Sequence, residues 1–236
     1  MIKFLKKIFL TILLIIIFIG CFIIYKGHVM YENSISKVSI EEKVKNVKEY
    51  DNYVSISEIP ETYKEATIAI EDHRFYSHNG IDIITTIRSL LENIKNKELS
   101  NGGSTITQQV ARNFYFTQEK SFVRKVAELF VAFDLETNYS KDEILEMYFN
   151  IIYFGDGYTG LKQASYGYFR KAPSKLSLNE QTLLAGIPNA PSVYSPSVNP
   201  YLAKKRQSKV LDAMEKYNYI SKNEASEIKK MNLPLD

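Results

Sequence analysis

An apolar run near the N-terminus limits what this chain can fold into more than any other feature. Residues 8–25 are apolar except for Thr11, Gly20 and Cys21. At about 1.5 Å per residue, a helix of this length just crosses a hydrocarbon core of roughly 30 Å. Three lysines precede the run: Lys3, Lys6 and Lys7. Because positive charge tends to remain on the cytoplasmic side of a membrane, we predict a cytoplasmic N-terminus.

Two other interpretations of the run are weaker than a membrane anchor. It is longer than the core of a usual secretory signal peptide, and no small-x-small cleavage site follows it. Gly20-Cys21 is similar to a lipoprotein cleavage site, but Phe18 stands where that pattern normally has leucine. We therefore predict that residues 1–26 form a cytoplasmic tip and an uncleaved, single-pass anchor in the cell membrane. Everything after Lys26 is then expected to be extracellular.

Length and composition suit one globular domain behind that anchor. The chain has 236 residues, of which 45% are hydrophobic and 24% charged, enough for a sizeable core. Its net charge of +3 is too mild to indicate nucleic acid, and its single cysteine excludes an internal disulfide and a multi-cysteine metal site. Residues 27–53 are polar and rich in lysine and glutamate, so we interpret them as a stalk. The domain is predicted to occupy residues 54–236.

Helical signals dominate the chain after this segment. Asp82 is expected to cap a helix with a 3.6-residue apolar period, which Asn101-Gly102-Gly103 should end. Ser121 is expected to cap a second helix, whose apolar face is formed by Val126, Leu129, Phe130 and Phe133. Three later helices begin with a serine and a glutamate three residues on, as in capping boxes: Ser140 and Glu143, Ser177 and Glu180, and Ser221 and Glu224. Few stretches alternate with period two, so the fold class is predicted to be mainly α.

A polar stripe follows the glycine pair. If the segment from Ser104 to Asn113 is helical, four polar residues fall at i, i+3, i+4 and i+7: Thr105, Gln108, Gln109 and Arg112. Ile106 and Val110 then face the core. A solvated face usually carries lysine and glutamate, whereas paired glutamines beside an arginine suit an oxygen-rich ligand. Alone, the stripe favours ligand binding and plain exposure about equally.

A basic cluster comes next. Arg124 and Glu128 lie one helical turn apart, and a surface ion pair worth a few tenths of a kcal/mol would account for them. Arg112 and Lys120 lie just upstream, however, so the basic residues also fit a phosphate-bearing partner. A metal site is not indicated, because His73 and His78 are five residues apart and no third histidine or cysteine is near.

Five segments, in this order, carry a resemblance to a known family. They are EDHRFYSHNG (Glu71 to Gly80), GGSTITQQVARN (Gly102 to Asn113), RKVAE (Arg124 to Glu128), ILEMYFN (Ile144 to Asn150) and the stretch from Ala164 to Pro196. Together they resemble the peptidoglycan glycosyltransferases of family 51, the lysozyme-like domain of bifunctional penicillin-binding proteins. Their order and spacing make the resemblance specific.

The resemblance implies a fold and a reaction. The fold is a lysozyme-like head with a small membrane-proximal jaw. In the reaction, the growing glycan strand is carried on undecaprenyl pyrophosphate, and the GlcNAc 4-hydroxyl of lipid II attacks its C1 with inversion. The implied partners are lipid II, the glycan strand, membrane lipid and, as a further expectation, proteins of cell-wall synthesis or division. No nucleotide-sugar or redox cofactor is implied, because the donor carries its own leaving group.

The resemblance also assigns residues. Glu71 is implied to be the base, while Arg112, Lys120 and Arg124 are implied to bind the pyrophosphate. Glu128 is implied to be the second catalytic carboxylate, with three roles left open: holding Arg124, orienting the donor, or helping to bind a divalent cation, Mg²⁺ or Mn²⁺. The remaining residues implied to bind substrate are Asp72, Phe75, His78, Ser104, Thr105, Gln108, Gln109, Asn113 and Lys125.

The sequence departs from the family pattern at two positions and leaves two rival functions open. Arginine at 112 and lysine at 120 exchange the residues usual there, which keeps the charge but alters its geometry. No transpeptidase segment follows in this sequence, so a monofunctional enzyme is expected. A membrane-anchored muramidase would also use two carboxylates, but it needs a positioned water rather than a cluster of cations. A catalytically inactive scaffold that binds glycan is the rival of another class.

Overall fold

The computed structural model describes residues 2–96, 103–117 and 121–235, without the side chains of Ile2 and of residues 90–96. Its α-helices are α1 (Ile2–Ile35), α2 (Ile40–Lys48), α3 (Glu61–Glu71), α4 (Ile83–Asn96), α5 (Ile106–Tyr115), α6 (Phe122–Asn138), α7 (Lys141–Ile151), α8 (Leu161–Phe169), α9 (Leu178–Gly186), α10 (Pro191–Tyr194), α11 (Pro200–Lys216) and α12 (Lys222–Lys230). Within these described ranges, extended pairing is confined to one isolated bridge between Tyr153 and Thr159. The prediction of a mainly α fold is confirmed.

The helices begin where their capping residues stand. The three predicted capping boxes are all present, at the starts of α7, α9 and α12. Ser121 caps α6 by accepting from the backbone N–H of Arg124. Asp82 precedes α4 and accepts from the backbone N–H and the hydroxyl of Thr85. Such caps satisfy N–H groups that have no partner inside the helix, which is why a short sequence pattern located these boundaries.

The core forms between two groups of helices. In one, α9 packs against α3 and α11, and in the other α5 packs against α6 and α7. The middle of α9 is buried, with Leu183, Leu184 and Ala185 at most 1% exposed. These packed helices hold the C-terminal end of α3, the N-terminal half of α5 and one face of α11 close together.

Residues 27–53, which the sequence predicts to be a polar stalk, are largely helical and pack on the domain. Residues 27–35 continue α1, which packs along α6, and the hydroxyl of Tyr31 donates to Asp134. Residues 40–48 form α2, which buries Ile40, Val44 and Val47 in the core. These three apolar residues fall at i, i+4 and i+7, a period hidden in a segment that is lysine- and glutamate-rich on average. The packed domain therefore begins well before residue 54.

The apolar face predicted for α6 also needs correction. The core side of α6 is formed by a different set: Ala127, Glu128, Val131, Ala132 and Leu135. Val126 and Phe130 instead contact α1, at Gly27 and at the rings of His28 and Tyr31. Phe133 remains exposed. The helix thus has two apolar faces, and the sequence pattern indicated the one that α1 covers.

Helix α1 carries the predicted anchor. Within the described residues, the segment Lys3–Ile35 is the one helix long and apolar enough to cross a membrane, and its most apolar part is not buried in the protein. The side of the membrane on which each end lies stays a prediction, as does the division of the domain into head and jaw.

Candidate active site

A cleft of about 620 Å³ lies where α3, α4, α5 and α11 approach one another. Its walls come from the end of α3 and the following turn, from α4 and α5, from the segment after α9, and from one face of α11. The lining residues are Ala69, Ile70, Glu71, Asp72, His73, Thr85, Arg88, Ser89, Ser104, Gln109, Arg112, Pro188, Asn189, Arg206, Lys209, Ala213, Lys216 and Tyr217.

Glu71 is the last residue of α3, and its side chain lines this cleft while being only 8% exposed. The side-chain amide of Gln109 donates to its Oε2 at 2.9 Å. The guanidinium of Arg206 donates to its Oε1 at 3.2 Å, which forms an ion pair. Both carboxylate oxygens are therefore fixed by side chains from two other helices, α5 and α11. Such fixed geometry is what a group that handles a substrate proton requires.

Asp72 serves the fold, although it also lines the cleft. Its carboxylate bonds Nε2 of His78 at 2.9 Å, and its Oδ2 accepts from the backbone N–H of Ile106 at 3.0 Å. All of these groups are buried. The pair ties the turn after α3 to the first residue of α5. This pair thereby holds Glu71 and Gln109 within hydrogen-bonding distance of each other.

Three other residues implied to bind substrate also make internal contacts. Phe75 is fully buried beneath the ammonium group of Lys141, 4.5 Å from its ring centre. Thr105 caps α5 and donates to the carbonyl oxygen of Gly80 at 2.7 Å. Gln108, also buried, donates to the same carbonyl at 3.3 Å. These contacts set the position of α5, and whether any of the three touches a substrate stays a prediction.

The basic cluster is assembled around Glu128. This carboxylate is 1% exposed and pairs with Arg124 and, at 3.1 Å, with Lys125. Lys125 also donates to Ser104 at 2.8 Å and to Gln108 at 2.9 Å. Burial, with the charges of Arg112 and Arg124 nearby, lowers the pKa of Lys125 to about 8. The three basic residues therefore lie close enough to act on one another.

Arg112 lies close enough to interact electrostatically with both Glu71 and Lys125 of the basic cluster. Arg112 lines the cleft, and burial lowers the pKa of its guanidinium, an effect that the nearby Glu71 carboxylate opposes. Glu128 is not among the residues that line the cleft, and its catalytic role stays a prediction. Asn113 is exposed and donates to the backbone of Gln109 at 2.7 Å. Lys120 lies outside the described residues.

The sequence reasoning missed the basic residues of the opposite wall. Arg206, Lys209 and Lys216 lie on α11 and Arg88 on α4, and all four line the cleft. A signal was available for α11, because positions 206, 209, 213 and 216 fall at i, i+3, i+7 and i+10, on one helical face. Arg206 is buried, and it also donates to the carbonyl oxygen of Gly186 at 3.2 Å. A buried arginine on a predicted helix is a stronger functional candidate than the exposed lysines beside it.

The described residues do not form a cluster of ligands for a divalent cation. In the ranges that the structure describes, no three side chains of histidine, cysteine, aspartate or glutamate come together as a metal site requires. Glu128, for which the resemblance leaves cation binding open as one role, is held instead by two basic side chains. The side chains that the structure describes therefore do not fit a bound metal.

Comparison with known proteins gives one consistent family. The family model described as Transglycosylase matches residues 37–215. Penicillin-binding protein 1F of Bacillus subtilis is 47% identical over 172 residues, which are 73% of this chain and 24% of that protein. A protein of Cupriavidus necator whose name includes the word transglycosylase is 45% identical over 173 residues, 73% of this chain and 74% of its own length.

The chain spans only about a quarter or less of the penicillin-binding proteins that it matches. Among solved structures, penicillin-binding protein 1A from Haemophilus influenzae aligns with 78% of this chain and 18% of its own, with a TM-score of 0.48 and 23% identity.

Proposed function

The chain belongs to the transglycosylase family, and on that premise we propose that it is a peptidoglycan glycosyltransferase that polymerises lipid II. The observation that carries the proposal is the position of Glu71. It is a buried carboxylate, fixed by Gln109 and Arg206, in a cleft whose other walls are basic. The carboxylate suits a hydroxyl that must lose a proton. The basic side chains suit a leaving group that carries negative charge.

The reaction forms one bond and breaks another. The 4-hydroxyl oxygen of a lipid II GlcNAc bonds to C1 of the growing strand, while the bond from C1 to the pyrophosphate oxygen breaks with inversion. Glu71 takes the hydroxyl proton, because its carboxylate lines the cleft at a fixed position. The electron pair of the broken bond leaves on the lipid pyrophosphate.

The cations stabilise this leaving group. Negative charge builds on the pyrophosphate oxygens in the transition state, so positive side chains held in place beforehand lower the barrier. Arg112 lines the cleft, and Lys125 donates to Ser104 of the same lining. Arg112 and Arg124 both lie close enough to act on Lys125. For Glu128, the structure favours the first of the three roles left open, since it pairs with Arg124 and Lys125.

Incubation of the detergent-solubilised chain with lipid II tests the proposal against its rivals. A glycosyltransferase yields glycan chains and releases undecaprenyl pyrophosphate. A muramidase shortens existing glycan and yields no chains from lipid II. A scaffold binds without turnover, and either of these last two results would refute the proposal.

Lys125 predicts a pH effect on substrate binding. Its pKa of about 8 means that the free enzyme loses this cation as pH rises past 8. We expect affinity for a lipid pyrophosphate to fall above that pH, while affinity for an uncharged glycan does not. Lys125→Arg, which stays charged, should remove the fall, and Lys175→Arg on the exposed surface should leave it in place.

Stability should change in the opposite direction over the same pH range. The folded pKa of Lys125 is depressed from 10.5, so between about 8 and 10.5 the unfolded chain binds more protons than the folded one. Its contribution to the free energy of unfolding therefore rises with pH across this window. Equal pH dependence of binding in wild type and Lys125→Arg would contradict the assignment.

We further propose that α4 contacts the membrane surface, since both substrates carry lipid tails. Ile83, Ile84 and Ile87 are each more than half exposed, so this face does not pack on the core. The continuation of the face at Leu90, Leu91 and Ile94, with Lys95 and Lys97, lies outside the described side chains. Apolar side chains beside lysines suit the boundary between acyl chains and anionic headgroups.

A spin label can test this contact in the intact chain. With Cys21→Ser as background, a nitroxide at Ile84→Cys in bilayers should be more accessible to a lipid-soluble relaxation agent than to a water-soluble one. Val198→Cys, also more than half exposed but distant from α4 in sequence, is the control and should show the reverse. If the label at position 84 is more accessible to the water-soluble agent, as the control is, α4 does not contact the membrane at this position.

A further inference from the structure

A second pocket lies apart from the cleft, on the exposed side of α8. Its volume is about 740 Å³, and it shares no lining residue with the cleft. The lining residues are Asn52, Gly157, Tyr158, Lys162, Gln163, Tyr166, Gly167 and Arg170. The reaction proposed above uses none of them.

The pocket is suited to an anion. Two of its residues, Lys162 and Arg170, are basic, and its lining includes no acidic side chain. Lys162 makes one hydrogen bond, at 3.2 Å to the carbonyl oxygen of Asp51, although its ammonium group has three donors. No ion pair joins Arg170 to any part of the chain that the structure describes. Two cations beside one pocket, without a carboxylate between them, attract a negatively charged group.

Arg170 occupies a backbone position that glycine would fill better. It caps the C-terminus of α8 with φ 57° and ψ 27°, in the left-handed region. An L-residue with a long side chain is disfavoured there, and glycine is the usual residue at such caps. The observed outlier places a guanidinium at the pocket edge at a conformational cost, which is typical of functional rather than purely structural positions.

A tyrosine surface forms another wall. The ring of Tyr158 occupies the place of a side chain at Gly167, since an added Cβ there would lie 2.2 Å from Cζ of the ring. Glycine within α8 weakens the helix, so this contact has a cost as well. Tyr166 is 47% exposed beside it. Aromatic rings next to the amides of Asn52 and Gln163 can hold a flat apolar face and hydrogen-bond its polar edges.

The wall of this pocket is connected to the cleft. Pro188 and Asn189 line the cleft, and a few residues later the carbonyl oxygen of Pro191 lies against Gly155. Ser195 then donates to Asp156 at 2.8 Å, next to Gly157 of the pocket. One continuous segment, residues 188–197, therefore borders the cleft and holds the turn that forms the second pocket.

We propose that this pocket binds the glycan product at a carboxylate-bearing muropeptide unit. A sugar ring lies on the tyrosines, and a stem-peptide carboxylate lies between Lys162 and Arg170. The identity of the polymer rests on the proposed function, whereas the preference for a carboxylate beside a ring rests on the pocket itself. Binding here would retain the strand near the cleft between successive additions.

The test is a calorimetric titration of the full chain in detergent with soluble muropeptide oligomers. Arg170→Gly should weaken binding roughly tenfold without lowering the melting temperature, because glycine suits the left-handed backbone. Tyr166→Ser should also weaken it, and oligomers with amidated carboxylates should bind to wild type as weakly as the acid form binds to Arg170→Gly. Lys222→Ala, which removes an exposed lysine at the start of α12, is the matched control.

Three outcomes would overturn the proposal. These are unchanged affinity in both pocket variants, equal affinity for acid and amidated oligomers, and full competition by inorganic phosphate at the same concentration as the oligomer. The last would indicate a general anion site. Polymerisation of lipid II by the wild-type chain tests the proposed function separately, since neither Arg170 nor Tyr166 lines the cleft.

Discussion

Glu71→Gln should abolish polymerisation of lipid II while the helical fold persists. The amide cannot accept the proton of the attacking hydroxyl, and loss of a general base typically lowers a rate by roughly 10²–10⁴-fold. The substituted side chain keeps one oxygen, which can still accept from Arg206 at the place where Oε1 does now. Substrate binding should therefore change much less than turnover.

The measurement is the rate of glycan formation from lipid II, with circular dichroism and a melting curve to verify folding. Glu61→Gln is the matched control, because it makes the same change at the exposed start of the same helix, outside the cleft. A Glu71→Gln variant that polymerises at near wild-type rate would show that another group takes the proton. Loss of activity in both variants would point to damage to α3 instead.

The sequence predicted those features whose causes are local. Capping boxes and the turn after Asp82 depend on residues three or four apart, and all were found at the predicted positions. The placement of Ile106 and Val110 in the core follows from helical period alone, and both are fully buried. The short motif around Glu71 likewise located a carboxylate that lines the cleft.

Features that depend on distant contacts were not predictable in this way. Arg206, which pairs with Glu71, lies 135 residues further along the chain. The helical face that Arg206 shares with two lysines of α11 is visible in the sequence, but its pairing with Glu71 is not. The packing of α1 on α6 was missed for the same reason, because a helix face shows its period but not its partner. The partner of His78 is likewise a matter of the fold: it bonds Asp72 and so ties two segments of the site together, while substrate binding by either residue stays a prediction.

The contact between α1 and α6 sets the position of the basic residues relative to the anchor helix. Gly27 contacts Val126, and four residues later Tyr31 contacts Asp134, so the two helices run in the same direction. The first turn of α6 therefore lies beside the C-terminal end of the apolar run. Arg124 and Lys125 belong to that turn or follow it directly. In the proposed anchored protein, the cations would stand at the height of the lipid phosphates.

Gly27→Leu is accordingly expected to lower the rate of polymerisation in bilayers by about 10–100-fold. A Cβ at this position would lie 2.5 Å from Cγ1 of Val126 and 3.1 Å from the backbone oxygen of Val123, so α1 and α6 would have to separate. Overpacking of this kind costs about 1–3 kcal/mol, and a shift of about 1 Å in catalytic groups can lower a rate by roughly 10².

Gly20→Leu supplies the control, since the same substitution two turns earlier on the same helix would meet no atom within 4 Å. Both variants add one apolar side chain to α1, so membrane insertion should be equal. Only Gly27→Leu should alter the position of α6. Equal rates for the two variants would mean that α1 serves as a tether alone. A selective loss in Gly27→Leu, with insertion intact, would mean that the helix that anchors the protein also sets the height and position of its cationic site.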